Sequence, residues 1–158
     1  MKTLLLLSAL LCQDKPFPDA DPGPAIEAAK KKAAAENQRV LVVWGMNEPD
    51  ASLPFVALLK KDKALARLIQ YEYVVVLADI RRMDKGRVRP AVIPLVDILD
   101  AEGRQLASTS GGTDAAPVID FLKKHQATPW KAQDVLDAAK KKAAAEKKRV
   151  LLTFGAPW

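Results

Sequence analysis

Cysteine and histidine are almost missing from this 158-residue chain: the one cysteine stands at position 12 and the one histidine at position 125. From one thiol and one imidazole, neither a His/Cys metal cluster nor a Cys-His or Ser-His-Asp catalytic arrangement can be assembled. Cys12 falls in an N-terminal stretch that export would remove or acylate, so the exported chain would hold no free thiol and no disulfide. Aromatic residues are also few, with three Trp, two Tyr and four Phe. None sits inside a basic run. The net charge of +6 therefore reads as solvated Lys and Arg on helix faces. A nucleic-acid footprint would need a basic stripe interleaved with aromatics. No apolar run approaches the roughly 20 residues of a membrane-spanning helix.

What is present fits a globular domain: 49% hydrophobic and 28% charged residues, in a chain long enough for one core of ordinary size. Met1-Lys2 is a short positive start, Thr3 to Leu11 is apolar, and Gln13-Asp14-Lys15-Pro16 breaks the run. That is the shape of a secretory signal peptide over residues 1–12, and export to a periplasm or the exterior is the expectation. Cleavage after Cys12 would put Leu10 and Cys12 where small residues are preferred. Lipid anchoring at Cys12 is a second reading, against which the bulky Leu11 stands. An apolar start on a chain that is not exported is a third.

The chain repeats itself once. Ala28 to Glu36 recurs letter for letter as Ala138 to Glu146, Arg39-Val40-Leu41 as Arg149-Val150-Leu151, and Gly45 as Gly155. At an offset of 110, residues 28–45 match residues 138–155 at 13 of 18 positions. Solenoid periods run about 20–50 residues, so this spacing marks a duplicated domain. The expected organisation is a Pro-rich tether over 13–24, a whole domain over 25–124, a linker over 125–131, and the truncated start of a second copy over 132–158.

Periodicity and turn chemistry set the expected elements. A helix begins near Pro24, followed by a buried strand over Val40–Trp44 and a loop over residues 45–52. Helices cover Leu53–Asp62 and Lys63–Gln70, with a break near Asp62. A second buried strand starts at Tyr73 and ends at Asp79. A basic loop over residues 81–92 leads to a strand over Pro94–Leu99, an Asp100–Gly103 turn, and a strand over Gln105–Ser108. Asp114 caps a helix over Ala115–Lys124. A helix over 132–147 and a strand over 150–154 then restart the series. A helical crossover makes the first two strands parallel, and a hairpin makes the last two antiparallel. The expected class is α/β: a mixed four-stranded sheet flanked by helices.

That order, with a proline opening the third strand and a glycine-bearing hairpin, resembles the thioredoxin fold. The residues that carry the resemblance are Val40–Gly45, Ile93-Pro94-Leu95-Val96, Leu99–Gly103, Gly111-Gly112 and Phe121-Leu122. Leu151 to Trp158 is similar to the strand that runs into Trp-Cys-X-X-Cys in thioredoxin-like proteins. The resemblance implies a cysteine after Trp158, and with it a thiol–disulfide oxidoreductase or isomerase in the longer protein. Such chemistry needs a thiolate whose pKa is lowered at a helix N-terminus and a second cysteine to resolve the mixed disulfide. In the first copy the offset puts Glu48 opposite Trp158, and Pro49 and Ser52 at the two sulfur positions. Pro49 has no nucleophile. Ser52 has a hydroxyl but no neighbouring base, with His125 at the far end of the last helix, and reads as part of a helix cap. Trp44, Gly45, Glu48, Pro49 and Ser52 thus form a vestigial active-site loop. The resemblance also implies a cis peptide at Pro94, in a loop that holds an extended substrate backbone. A tight turn kept for packing is the other reading.

Two further groups are candidates. Arg81, Arg82, Lys85, Arg87 and Arg89 lie before Pro94, as an anion or acidic-partner loop or as a solvated one. Asp97, Asp100 and Glu102 suggest a metal less well than they suggest turn and strand chemistry. No metal and no cofactor are expected. A protein or peptide partner is expected, without nucleic acid. Because residues 132–154 copy the first helix and strand, a domain swap through them is a further expectation.

Overall fold

The computed structural model describes residues 15–48, 52–83 and 92–152. The chain divides between Ala127 and Thr128 into two units. The first contains α1 (Gly23–Glu36), β1 (Arg39–Gly45), α2 (Ser52–Lys61), α3 (Lys63–Glu72), β2 (Tyr73–Asp79), a 3-10 turn (Ile80–Arg82), β3 (Leu95–Leu99), β4 (Gln105–Ser110) and α4 (Ala115–Lys124). The second contains α5 (Ala132–Ala145).

The sheet order is β2-β1-β3-β4. β1 is parallel to β2, with Arg39 opposite Tyr73 and Gly45 opposite Asp79, and antiparallel to β3, with Val42 opposite Asp97. β3 and β4 form an antiparallel hairpin whose register slips between Ile98 and Leu99. The mixed, helix-flanked sheet is as the sequence implies. Six of the seven β1 residues are buried, because the strand is paired on both edges and covered on both faces.

Alternation along the strands sorts the core into two layers. On one face Leu41, Val43, Tyr73, Leu77, Val96 and Ile98 pack with Phe55, Val56 and Leu59 of α2, Leu65 and Ile69 of α3, and Val118 and Leu122 of α4. On the other, Val40, Val42, Trp44, Val76 and Ala78 meet Ala29 and Ala33 of α1. Small residues at those two positions let a lysine-rich helix sit close to the sheet.

Local signals explain the element ends. Asp62 separates α2 from α3, its carboxyl accepting the N–H groups of Ala64 and Leu65 at 3.0 and 2.9 Å. Asp114 caps α4 by accepting from the Ala116 N–H at 3.1 Å. In the hairpin turn the Asp100 carboxyl accepts from the N–H groups of Glu102 and Arg104, and Gly103 takes a φ of +89°, where a Cβ is disfavoured.

Two expectations differ from the structure. The Pro-rich stretch is no free tether, because Phe17 is fully buried in the core. Residues 150–152 are not a strand: a strand needs a ladder partner, and among the described residues the second unit contains only α5. Residues 153 and 154, like the signal-peptide residues 1–12, lie outside the described residues. No helix among the described residues is long and apolar enough to cross a membrane.

Two buried side chains link the layers to the sheet. The Trp44 indole N–H donates to the Asp97 carboxyl at 2.7 Å, and the Ser108 hydroxyl donates to its other oxygen at 2.8 Å. The Tyr73 hydroxyl, whose pKa burial pushes up, donates to the Leu122 carbonyl at 2.6 Å and ties β2 to α4. Replacing Trp44 with Phe removes a donor from a fully buried acid. The expected loss is about 2–3 kcal/mol of unfolding free energy, read from urea titrations at unchanged m-value.

Candidate functional site

The site lies where the C-terminal end of β1 runs through Met46–Glu48 towards α2. Gly45 is needed there on steric grounds. A Cβ at that position would come within 2.5 Å of the Phe17 ring and 2.8 Å of the Ser52 Cβ. Ser52, the first residue of α2, is fully buried, and its hydroxyl accepts from the Met46 N–H at 3.3 Å. It therefore closes the loop from inside the helix, whereas a capping side chain would sit before the first turn. His125 ends α4, its ring 5.1 Å from that of Phe121.

The Ile93–Pro94 peptide is cis. Gly111 donates its N–H to the Pro94 carbonyl at 2.7 Å, and a Cβ at Gly111 would lie 2.6 Å from the proline ring and 3.0 Å from the Phe55 ring. This close stacking sets the start of β3, the end of β4 and α2 against one another. Trp44, Gly45, Glu48 and Ser52 belong to the β1–α2 segment, and Pro94 to the start of β3. Pro49 lies outside the described residues.

The basic loop is not free to receive an anion at its first two positions. Asp79 is fully buried, and the Arg81 guanidinium grips both its oxygens, with Nε at 3.0 and 3.1 Å. The Arg81 backbone N–H adds a bond at 2.8 Å, and Nη1 reaches Glu48 at 3.5 Å. Arg82 holds one Asp19 oxygen with Nε and Nη2, at 3.0 and 2.7 Å. Each arginine is thus already matched to a carboxylate. Lys85, Arg87 and Arg89 lie outside the described residues. Asp97 and Asp100 are spent on Trp44, Ser108 and the hairpin turn, and among the described residues no group of three His, Cys, Asp or Glu is arranged to hold a metal.

The stretch before α1, read as a tether, supplies part of this site. Phe17 donates its N–H to Asn47 Oδ1 at 3.0 Å, and Asn47 Nδ2 donates back to the Phe17 carbonyl at 2.6 Å. Neither partner is marked in the sequence, since they stand 30 residues apart. The Asp79–Arg81 pair, by contrast, is visible as an acid two residues before a base at a strand end. Lys15, Phe17, Pro18, Asp19, Asn47, Glu48 and Arg81 line an open depression of about 480 Å³.

No family model matches the chain, and no curated protein matches it. Among solved structures it is similar to a disulphide isomerase from Xylella fastidiosa Temecula1, at 21% identity and a TM-score of 0.58, over 69% of this chain and 95% of that one. It also matches the germline-specific thioredoxin protein Deadhead of Drosophila melanogaster at 22% identity and a TM-score of 0.43, over 60% and 88% of the two chains. The chain has a thioredoxin-like fold.

Hydrogen bonds from Arg81 hold the Asp79 carboxyl below its ordinary range, against burial, which pushes it up. At Asp100 burial also pushes up, and the Arg104 N–H and guanidinium more than offset it. A depressed folded-state value means that this stability is full above about pH 4 and is lost as pH falls through the folded-state value. Replacing Arg81 with Met should lower stability at neutral pH and flatten its fall between about pH 5 and pH 2. Urea titrations across that range measure both, and equal slopes in the two proteins would refute the assignment.

Proposed function

We propose that this chain is a redox-inactive, thioredoxin-like domain of an exported tandem-domain protein, with a binding or scaffolding role. One observation carries the reading: the two positions where the fold would place sulfur hold Pro49 and Ser52. A proline side chain offers no nucleophile. The Ser52 hydroxyl is buried and already accepts a backbone N–H, and the one imidazole of the chain is packed on Phe121 at the end of α4. Thiol exchange needs a thiolate, and the one cysteine stands in the apolar N-terminal segment that export would remove or acylate. The close packing around the loop is kept nonetheless: Gly45 admits the Phe17 ring and Ser52, and Gly111 admits the Pro94 and Phe55 rings.

The repeat favours a second reading, in which this domain is the non-catalytic part of a thiol–disulfide oxidoreductase or isomerase. Leu151 to Trp158 is similar to a strand that precedes Cys-X-X-Cys. Reading the source DNA past the Trp158 codon separates the two, since absence of cysteine in the next four codons ends this second reading.

For the leading reading, the full chain should not accelerate the reduction of insulin by dithiothreitol. Turbidity should rise no sooner than in buffer, and clear turnover would refute redox inactivity.

A further inference from the structure

The Phe17 contacts have the form of a recognition site filled by the chain's own residues. The ring is fully buried, in the core cluster that also holds Leu41, Val43 and Phe55, in a slot that exists because Gly45 has no Cβ. The Asn47 side-chain amide meets the N–H and the C=O of one residue, as a neighbouring strand would, and this pairing reads backbone rather than side chain. Two residues on, the Arg82 guanidinium holds the Asp19 carboxylate. The segment that makes these contacts forms neither helix nor strand, and Pro18, Asp19, Ala20 and Asp21 are exposed. An aromatic ring, one residue's backbone pair and a carboxylate two positions later together define the ligand.

We propose that the Phe17 seat is a peptide-recognition site. It takes, in trans, an extended segment with an aromatic residue followed at the second position by an acidic one, and residues 17–19 occupy it in cis. This rests on the reading of the domain as a binding module and names its partner class. A short covalent link gives the cis occupant a millimolar effective concentration, so a free peptide competes poorly until the seat is vacated. The seat lies beside the loop that would hold the sulfur atoms, so a partner bound there lies along the face on which the site opens. Arg82 supplies orientation, because a segment entering in the opposite direction would place its acid away from the guanidinium.

The test uses the full chain with Phe17→Ala and a fluorescein-labelled peptide, Lys-Pro-Phe-Pro-Asp-Ala-Asp, followed by anisotropy. The peptide should bind this variant at least tenfold more tightly than it binds the unaltered chain. Replacing the peptide's Phe by Ala should abolish the gain, and adding Arg82→Ala to the protein should weaken binding severalfold. A folded Phe17→Ala variant that binds no better than the unaltered chain, or that fails to distinguish the two peptides, overturns the proposal. If vacating the seat unfolds the protein, Asp19→Lys leaves the ring in place and loosens only the cis contact to Arg82. It should raise the peptide's affinity severalfold over the unaltered chain, and an unchanged affinity overturns the proposal. Failure here would leave redox inactivity standing, which the insulin assay judges separately.

Discussion

β1 is the constraint on which the fold depends. Flanked by β2 and β3 and covered on both faces, it admits only residues that fit two layers at once. Its side chains alternate between α1 on one side and α2, α3 and α4 on the other, so its register decides which half of the core each element joins. The same register delivers Trp44 to Asp97 and ends the strand on Gly45, under the Phe17 ring. The candidate site is therefore a consequence of where this strand stops, and the loop beyond it inherits its position from the core.

Much of the fold was legible because its signals are local. Apolar runs marked the buried strands, Asp62 marked a helix break, Asp114 a helix start, and Asp100 to Gly103 the hairpin. What was illegible depends on partners distant in the chain. Asp97 reads as an ordinary strand residue until Trp44, 53 positions away, is brought to it. Prolines around Phe17 suggest an extended spacer, and nothing nearby announces that its ring completes a core. At the site, the absence of cysteine from residues 45–52 could be read from residue identity alone. The Asn47 pairing and the burial of Ser52 could not, since both arise only once the loop is folded.

The repeat shows how much local likeness can conceal. Its five mismatches fall at 37, 38, 42, 43 and 44, and four of those residues are buried. Gln38, which donates to the carbonyls of Gln70 and Tyr71, is answered by Lys148, and the indole donor Trp44 by Phe154. Val43, in the apolar layer, is answered by Thr153. Within the strand the shared letters include Val40 and Leu41, fully buried in the two layers, whereas the differing ones are gathered at its second half, Val42 to Trp44. A segment with Lys148, Thr153 and Phe154 at these places would lose the Gln38 bonds, an apolar contact and the indole donor of β1.

The helix ends carry this further. Asn37 and Lys147 both turn left-handed, with φ of 53° and 52°, and each is followed by the same closing bond, Gln38 N–H to Ala33 carbonyl and Lys148 N–H to Ala143 carbonyl, at 2.9 and 2.8 Å. Asparagine tolerates that turn better than lysine does. The two helices thus stop in the same shape while only the earlier one has the residue best suited to it, and the later helix should unwind from its last turn more readily than the earlier one.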